Sequence, residues 1–169
     1  MTRLVTDRLV LRAAQDDDLA PLFAFFGDPR AMQYWSTEPD KTLDETRQRI
    51  EHLKAPGPRL YFVMEYQGVA IGTGGIHEGD EIGFILHPDH WRKGLMQEAV
   101  SAIIAHVWAT TGLKQITADA DPDNAASVGF LKSMGFQVTG EAKNTFCIAG
   151  RWSDSVYFKL PRPVTAFRV

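Results

Sequence analysis

A basic turn between an apolar run and a helical pattern is the part of this sequence best suited to chemistry. The turn is Trp91-Arg92-Lys93-Gly94, which follows the apolar residues 82–86 and precedes Leu95 and Met96, where helix spacing begins. The first amides of a helix have no internal partners and lie at the positive end of its dipole. Flanked by two cations, these amides predict a binding site for an anion such as a pyrophosphate.

Short motifs around this turn resemble one protein family. His87-Pro88, His90-Trp91, Lys93-Gly94 and Glu98-Ala99 read like HPxYWGKGxxxEA, a pattern of the RimJ/RimL-like branch of the GNAT superfamily of acetyl-CoA-dependent N-acetyltransferases. That branch acetylates the amino termini of ribosomal proteins and other amines. The stretch TDRLVLR, from Thr6 to Arg12, is similar to the TxRLxLR with which the branch usually starts, and the likeness covers nearly the whole chain.

The resemblance implies a single GNAT domain over residues 1–169. Its fold class is α/β (α+β): a mixed, mostly antiparallel sheet of about seven strands, with helices on both faces and two splayed central strands. Acetyl-CoA is the implied cosubstrate, and no metal is expected, because no cysteine or acid cluster completes a ligand set with the two histidines of the turn. The pantetheine arm is expected along the opened edge at Ile85-Leu86-His87, and the diphosphate at the turn from Trp91 to Met96.

The start of a later helix is implied to serve the thioester end of the cosubstrate. The NxxS of the branch is matched by Asn124, which is expected to bond the pantetheine amide, and by Ser127, which is expected to donate to the leaving sulfur. Many GNAT enzymes use a tyrosine four residues before the glycine that ends this helix, but that position is Leu131 here. Helix capping is an equally open role for the asparagine and the serine.

The acceptor side of the site is implied by three further residues. Glu81 lies four residues before Ile85, so strand alternation puts both on one face, and some family members have a glutamate at that offset as general base. A solvated glutamate at a turn is the alternative. Tyr34 and Trp35 lie in the segment that covers the acceptor side in the family, although they also suit a role as a roof over the core.

One position departs from the superfamily pattern Q/R-x-x-G-x-G/A. Met96 stands at its last position, where its bulk narrows the expected phosphate site. Trp91, at the first position, is shared with the RimJ-like branch.

Local signals predict the element order β-α-α-β-β-β-α-β-α-β-β. The aspartates 16–18 start a helix that ends near Gly27, and the capping box Thr42-Leu43-Asp44-Glu45 starts a second, which Pro56-Gly57-Pro58 breaks. A first strand is predicted at 6–12, and two strands at 59–65 and 69–77 flank the turn Gln67-Gly68. A fifth strand at 114–119 is followed by a helix from 121–124 to Gly135. Two closing strands are predicted at 136–141 and 151–160, with 143–150 as loop or strand ends. The glycines at 72, 74 and 75 indicate a bulge or a close approach of backbone or ligand.

Composition excludes several other classes of protein. A net charge of −3 argues against a nucleic-acid binder. Cys147 is the only cysteine, which fits a reducing cytoplasm, and a packing role is expected for it. No apolar run is long enough to span a bilayer, and Met1-Thr2-Arg3 is not followed by the core of a signal peptide. We expect a cytoplasmic monomer or homodimer that binds neither nucleic acid nor membrane.

The activity that these observations favour is acetyl transfer to a primary amine, by direct attack in a ternary complex. The acceptor is either a protein N-terminal α-amine or a small-molecule amine. A non-catalytic module that binds CoA or a protein partner is the main alternative, favoured by Met96 and Leu131. An unrelated hydrolase or nucleotide enzyme is a third, against which the missing G-x-S-x-G and phosphate-loop motifs count.

Overall fold

A mixed sheet of eight strands runs through the described part of the chain, residues 2–54 and 60–164 of a computed structural model. The strands lie in the order β1-β2-β3-β4-β5-β6-β8-β7. Their bounds are β1 Leu4–Val5, β2 Leu9–Arg12, β3 Tyr61–Tyr66, β4 Val69–Glu78, β5 Glu81–Leu86, β6 Gln115–Ala120, β7 Gln137–Ile148 and β8 Arg151–Pro161. The α-helices are α1 Leu19–Phe26, α2 Pro29–Met32, α3 Leu43–Lys54, α4 Leu95–Thr110 and α5 Ala125–Ser133.

The first predicted strand, residues 6–12, is shorter in the structure, because β2 begins at Leu9 and the additional strand β1 ends at Val5. The Thr6 N–H donates to the Leu9 carbonyl at 3.0 Å, which closes a turn inside the predicted segment. β1 and β2 therefore pair antiparallel on either side of this turn. The sheet gains one strand over the prediction, while the fold class and the sheet with helices on both faces are confirmed.

Two apolar cores lie on opposite faces of the sheet. One lies under α1 to α3 and includes Leu22, Phe25, Met32, Ile50, Val63 and Ile85. The other lies under α4 and α5 and includes Ile82, Leu86, Leu95, Ile103, Ile116 and Leu131. Alternate residues of β5 belong to different cores, because successive strand side chains point to opposite faces.

Local signals in the sequence set the ends of α3 and α5 as predicted. Thr42 Oγ1 accepts from the Glu45 N–H at 3.3 Å, and the Glu45 carboxylate accepts from the Thr42 N–H at 3.0 Å. Gly135 follows α5 with a φ of 89°, a conformation that a glycine adopts without a steric penalty. The predicted break at Pro56-Gly57-Pro58, and the start of β3 at Arg59, lie outside the described residues.

The glycines of β4 mark both a bulge and a close approach of backbones. The register between β3 and β4 shifts at Met64 and Glu65. A Cβ atom at Gly72 would lie 2.4 Å from the Ile85 carbonyl oxygen, and one at Gly75 would lie 1.9 Å from that of Leu60. Both distances are far below van der Waals contact, so these positions exclude a side chain.

The central sheet opens into a fork between β5 and β6. The two strands pair at one position, Glu81 with Thr117, where the Thr117 N–H donates to the Asp80 carbonyl at 2.9 Å. Asp80 also accepts from the side chains of Thr117 and Gln115 at 2.8 and 3.0 Å, which fixes the closed end of the fork. Beyond that end, β5 continues to pair with β4 and β6 continues to pair with β8.

The last two strands form a longer hairpin than predicted. β7 extends through Ile148, and the turn is made by Ala149 and Gly150 with φ values of 50° and 79°. Cys147 is exposed on this hairpin, so the expected packing role is wrong. Among the described residues, none of the helices is both long and apolar enough to cross a membrane.

Candidate active site

The fork opens into a groove of 1540 Å³ that reaches from the start of α4 and α5 to the segment 29–39. It brings together most of the predicted site residues. Those that line it are Tyr34, Trp35, Glu81, Ile85, Leu86, Trp91, Arg92, Gly94, Leu95, Met96, Asn124 and Ser127. Of the residues predicted from the sequence, His87 and Lys93 do not line it.

Backbone polar groups of β5 face the gap at alternate residues. The Asp80 carbonyl bonds to β6, so residues 82, 84 and 86 also turn their N–H and C=O groups toward that side. Beyond the closed end of the fork, β6 has moved away from Phe84 and Leu86. These two residues therefore present strand groups that a linear ligand can pair with as an added strand.

This alternation corrects the backbone edge expected from the sequence. The Ile85 carbonyl points at β4, where it lies against Gly72. The His87 N–H also points at β4 and donates to the Ile71 carbonyl at 2.7 Å. Only Leu86 of the expected three faces the gap, and its carbonyl accepts from the Trp91 indole at 2.9 Å. Phe84 was missed by sequence reasoning. Which alternate residues of β5 face the gap is decided by the residue that bonds to β6 at the closed end of the fork, and this contact is not visible in the sequence of the strand.

Among the described residues, the backbone N–H groups from Arg92 to Gly94, in the turn before α4, have no hydrogen-bond partner. Arg92 and Gly94 have positive φ values of 59° and 73°, and Gly94 is the N-cap of α4 without a side-chain cap. The first helical bond is from the Glu98 N–H to the Gly94 carbonyl at 3.1 Å. The amides between these residues lie at the positive end of a helix of 16 residues, an arrangement that suits a diphosphate.

An ion-pair network fixes this turn to β2. The Arg8 guanidinium donates to the Glu98 carboxylate at 2.7 Å and to the Lys93 carbonyl at 2.8 Å. Glu98 also accepts from the Thr6 hydroxyl at 2.5 Å and from the Arg8 N–H at 2.7 Å. Sequence reasoning named Thr6, Arg8 and Glu98 as motif members only, and Lys93 as part of the expected diphosphate site. The network shows why the two motifs, about ninety positions apart in the chain, occur together.

The charge state of Glu98 follows from the same contacts. Burial opposes its ionisation, but the hydrogen bonds from Thr6 and Arg8 outweigh that effect and hold the pKa of Glu98 below its ordinary value. Glu98 is therefore a carboxylate at neutral pH, in the first turn of the helix that is expected to bind an anion. Arg8 neutralises a charge that otherwise repels a diphosphate.

Replacing Arg8 with methionine is expected to weaken the predicted CoA binding about tenfold, because Glu98 is then an uncompensated negative charge beside the turn from Trp91 to Gly94. The double variant Arg8→Met/Glu98→Gln should recover most of the affinity. Isothermal titration with CoA at low and moderate salt measures both, with Arg3→Met as a control that removes an exposed cation elsewhere. If the double variant binds as weakly as the single one, Arg8 acts through the shape of the turn and not through charge.

Helix α5 presents Asn124 and Ser127 to the groove. Asn124 is its N-cap, and Asn124 Oδ1 accepts from the Ser127 N–H at 3.1 Å, so the capping role is real. Capping occupies only the oxygen, which leaves the Asn124 amide nitrogen available as a donor. Within the described ranges no protein group bonds to the Ser127 hydroxyl, which is half-buried at the groove wall.

Two positions that depart from the superfamily pattern are occupied by apolar side chains. Met96 is half-buried, lines the groove and packs against the α4–α5 core. Leu131 is 1% exposed, in the same core. The leucine at position 131 has no proton to donate. Any group that protonates the leaving sulfur of the expected cosubstrate must therefore belong to another residue.

The opposite side of the groove carries aromatic and acidic groups. Trp35 packs against the α1–α3 core and also lines the groove with Tyr34, and a role of either residue on the acceptor side stays a prediction. Glu81 lies 3.0 Å from His77 Nε2, at the closed end of the fork. In the described ranges, no group of three histidine, cysteine, aspartate or glutamate side chains is arranged to hold a metal ion.

His90 is packed below the turn and does not act as a charged group there. Its ring meets those of Tyr66 and His87 edge-on, with centroids 5.7 and 5.8 Å apart. Burial lowers the pKa of His90, and the positive charge of Lys93 lowers it further. The imidazole is therefore neutral at pH 7.

Comparison with known proteins identifies the family. A family model described as "Acetyltransferase (GNAT) domain" matches residues 8–137. The uncharacterised N-acetyltransferase p20 of Bacillus licheniformis is 29% identical over 171 residues, covering 95% of this chain and 96% of that protein. The ribosomal protein uS5-alanine N-acetyltransferase of Escherichia coli is 29% identical over 178 residues, covering 95% and 91%. The spermidine N(1)-acetyltransferase of the same species is 24% identical over 153 residues, covering 86% and 82%.

Solved structures share the fold. A GNAT-family acetyltransferase from Bacillus anthracis has a TM-score of 0.83 at 22% identity, covering 95% of this chain and 98% of that one. RimL, a ribosomal L7/L12 α-N-protein acetyltransferase in complex with coenzyme A, has a TM-score of 0.81 at 20% identity, covering 94% and 96%. The residues matched by the family model include the turn from Trp91 to Gly94, both arms of the fork and α5. The chain thus belongs to the GNAT acetyltransferase family, and its relatives include a ribosomal-protein N-acetyltransferase of the kind that the sequence motifs resemble.

Proposed function

We propose that this protein transfers the acetyl group of acetyl-CoA to a primary amine by direct attack in a ternary complex. The observation that carries the proposal is the fork between β5 and β6, which leads directly into the uncapped start of α4. A strand edge for the pantetheine arm and a cluster of amides for the diphosphate are thereby continuous. The groove volume of 1540 Å³ is ample for a nucleotide thioester together with an acceptor.

The residues of the α4–α5 side fit the cosubstrate. The amides from Arg92 to Met96, with the Arg92 guanidinium, suit the diphosphate, and the Phe84 and Leu86 backbone groups suit the pantetheine amides. A gap-facing N–H of β5 also suits the developing negative charge on the thioester oxygen, and one such donor contributes about 3–4 kcal/mol to transition-state stabilisation. Ser127 is the proposed donor to the leaving sulfur, and Asn124 Nδ2 a proposed donor to the pantetheine arm.

The opposite side fits an amine that arrives as an ammonium ion. Six carboxylates line the groove, at Glu38, Glu78, Glu81, Asp119, Asp121 and Asp154, against three arginines, at Arg30, Arg92 and Arg151. Such a surface attracts cations and orients them before they lose a proton. Glu81, next to His77, is the base that the sequence predicts. The relatives that act on an alanine α-amine and on spermidine both take cationic acceptors, which agrees with this surface.

The test is a thiol-release assay with purified protein, acetyl-CoA and a panel of amines. The panel contains peptides with free N-terminal alanine or serine, polyamines and free amino acids, with N-blocked peptides as matched controls. Amine-dependent release of CoA, with the acetylated amine found by mass spectrometry, supports the proposal. Release that is independent of amine, or tighter binding of ATP or NAD than of CoA, contradicts it. The exposed lone thiol at Cys147 keeps the cytoplasm as the proposed location, since it suits a reducing compartment.

A non-catalytic CoA-binding module is the second candidate. It is favoured by Leu131, which fills the position of the usual proton donor with a buried apolar side chain. Tight CoA binding by titration without turnover on any amine would establish it.

A further inference from the structure

Asp119 is a second carboxylate on the acceptor side of the fork, and neither the sequence motifs nor the family resemblance points to it. It lies on β6, two residues beyond Thr117, and lines the groove. Its neighbours Ala118 and Ala120 are buried in the α4–α5 core. Strand alternation therefore turns the Asp119 side chain to the opposite face, which is also the face of Glu81.

A buried hydroxyl pair fixes the orientation of this carboxylate. Ser155 Oγ donates to Asp119 Oδ2 at 3.0 Å, and Thr145 Oγ1 lies 2.7 Å from Ser155 Oγ. Ser155 is 1% exposed, so solvent does not compete with Asp119 for the hydrogen bond of its hydroxyl. In the part of the chain that the structure describes, Asp119 Oδ1 has no hydrogen-bond partner. One oxygen of a side chain at the groove wall is thus held, and the other has no partner among the described residues.

The surroundings also make Asp119 a stronger base than an ordinary aspartate. Burial raises the pKa of Asp119, the bond from Ser155 opposes that effect, and the negative charges of Glu81 and Asp121 raise the pKa further. Because its pKa is raised, this carboxylate accepts a proton more readily than an ordinary aspartate does.

Glu81 occupies a less suitable place for the same task. It lies at the closed end of the fork, paired with His77 at 3.0 Å, and its side chain is 43% exposed. The gap-facing N–H of Phe84 is three residues further along β5, which is about 10 Å at the rise of a strand. Asp119 lies two residues into the opening of the fork, about 7 Å beyond Thr117 on the other arm, and so closer to the level of that amide.

We propose that Asp119, and not Glu81, takes the proton from the acceptor's ammonium ion. This inference rests on the proposed function. An N–H bond of the ammonium breaks, its proton moves to Asp119 Oδ1, and the freed electron pair of the amine forms the new bond to the thioester carbon. As the C–S bond breaks, the sulfur takes the second proton of the nitrogen through Ser127. Asp119 then releases its own proton to solvent, so one amide, one thiol and one proton are formed.

The remaining charged groups around Asp119 are compatible with this role. From β4 and β5 it is faced by the His77–Glu81 pair, and Asp121 follows it on its own segment. From β8, Arg151 and Asp154 line the same groove. Asp154 is neutralised by Lys143 at 2.7 Å, and Arg151 is held by the Gln33 carbonyl at 3.0 Å. The Glu81 charge attracts the ammonium and also favours the protonated form of Asp119.

The variant Asp119→Asn keeps the size of the side chain and removes the base. With a strongly basic amine at pH 7, kcat/KM should fall about a hundredfold or more. With a weakly basic amine, which is already neutral at pH 7, the loss should stay below about fivefold, because no ammonium proton has to be removed. Asp119→Glu should recover part of the activity, and Asp123→Asn, an exposed neighbour outside the groove, should resemble the wild type.

The pH profile gives a readout that a structural role does not move. Asp119 must be ionised to accept a proton, so wild-type kcat/KM is lost as the pH falls through its pKa, which lies above its ordinary value. In Asp119→Asn the rate should instead follow the fraction of free amine and rise with pH up to the pKa of the amine. Equal losses on both amines, or an unchanged profile, overturn this inference and leave the acetyltransferase activity standing. Absence of wild-type turnover on every amine overturns both, and titration with CoA shows whether each variant is folded.

Discussion

Replacing Ser127 with alanine is expected to lower kcat about a hundredfold or more, while the KM for acetyl-CoA changes little. The thiolate of CoA is a poor leaving group until it is protonated, and the Ser127 hydroxyl lies on the groove wall without a bond to any described residue. Leu131, at the position where many relatives have a tyrosine, cannot replace it. In the proposed mechanism, the proton transfer to sulfur depends on this one hydroxyl.

The substitution removes the Ser127 hydroxyl without disturbing the cap of α5. The α5 cap is made by Asn124 Oδ1 and the Ser127 N–H, and alanine retains that N–H. Alanine is also the better helix former, so the stability of α5 should not fall. Ser101→Ala, at an exposed position of α4, is the matched control for loss of a helical hydroxyl. The prediction is wrong if kcat is retained, or if the loss is in KM alone, since the serine then only contributes to binding.

Motifs in which local chemistry decides the structure could be predicted from the sequence. The segment 82–94 combines a short apolar run with a turn that contains two cations and a glycine. The structure has β5, a positive-φ turn and α4 in that order. The capping box at Thr42 and the glycine end of α5 at Gly135 were predicted for the same reason. Each depends on contacts between residues within a few positions of one another.

Features that depend on distant partners could not be predicted. Phe84 and Leu86 turn their backbone groups to the gap because the Asp80 carbonyl, an even number of residues earlier, bonds to β6. Nothing in the sequence of β5 itself shows which alternate set of residues faces β6. Asp119 resembles any alternating polar residue of a strand until Ser155, 36 positions away, is placed against it. The Arg8–Glu98 network spans a larger gap of 90 positions, although the two motifs that contain it gave a usable signal.

Replacing Gly72 with alanine is expected to lower kcat about a hundredfold and to destabilise the protein by about 1–3 kcal/mol. A Cβ atom there would lie 2.4 Å from the Ile85 carbonyl and 3.2 Å from the Leu86 Cα, both of which are backbone atoms that no rotamer change can move aside. The strand must shift away from β4, and β5 carries the gap-facing amides of Phe84 and Leu86. Because a misplacement of about 1 Å can cost a hundredfold in rate, activity should suffer more than folding does.

The matched control for this variant is Gly112→Ala, at a position where an added Cβ meets no atom within 4 Å. That variant should retain full activity and gain slightly in stability, since alanine reduces the entropy of the unfolded chain. Denaturant unfolding and steady-state kinetics on the same preparations separate the two effects. If Gly72→Ala loses stability but retains kcat, β5 relaxes without moving its gap-facing amides, and the oxyanion donor must be sought elsewhere in the groove. If it loses both, the close packing of β4 on β5 is what holds the strand edge in the position that acetyl transfer requires.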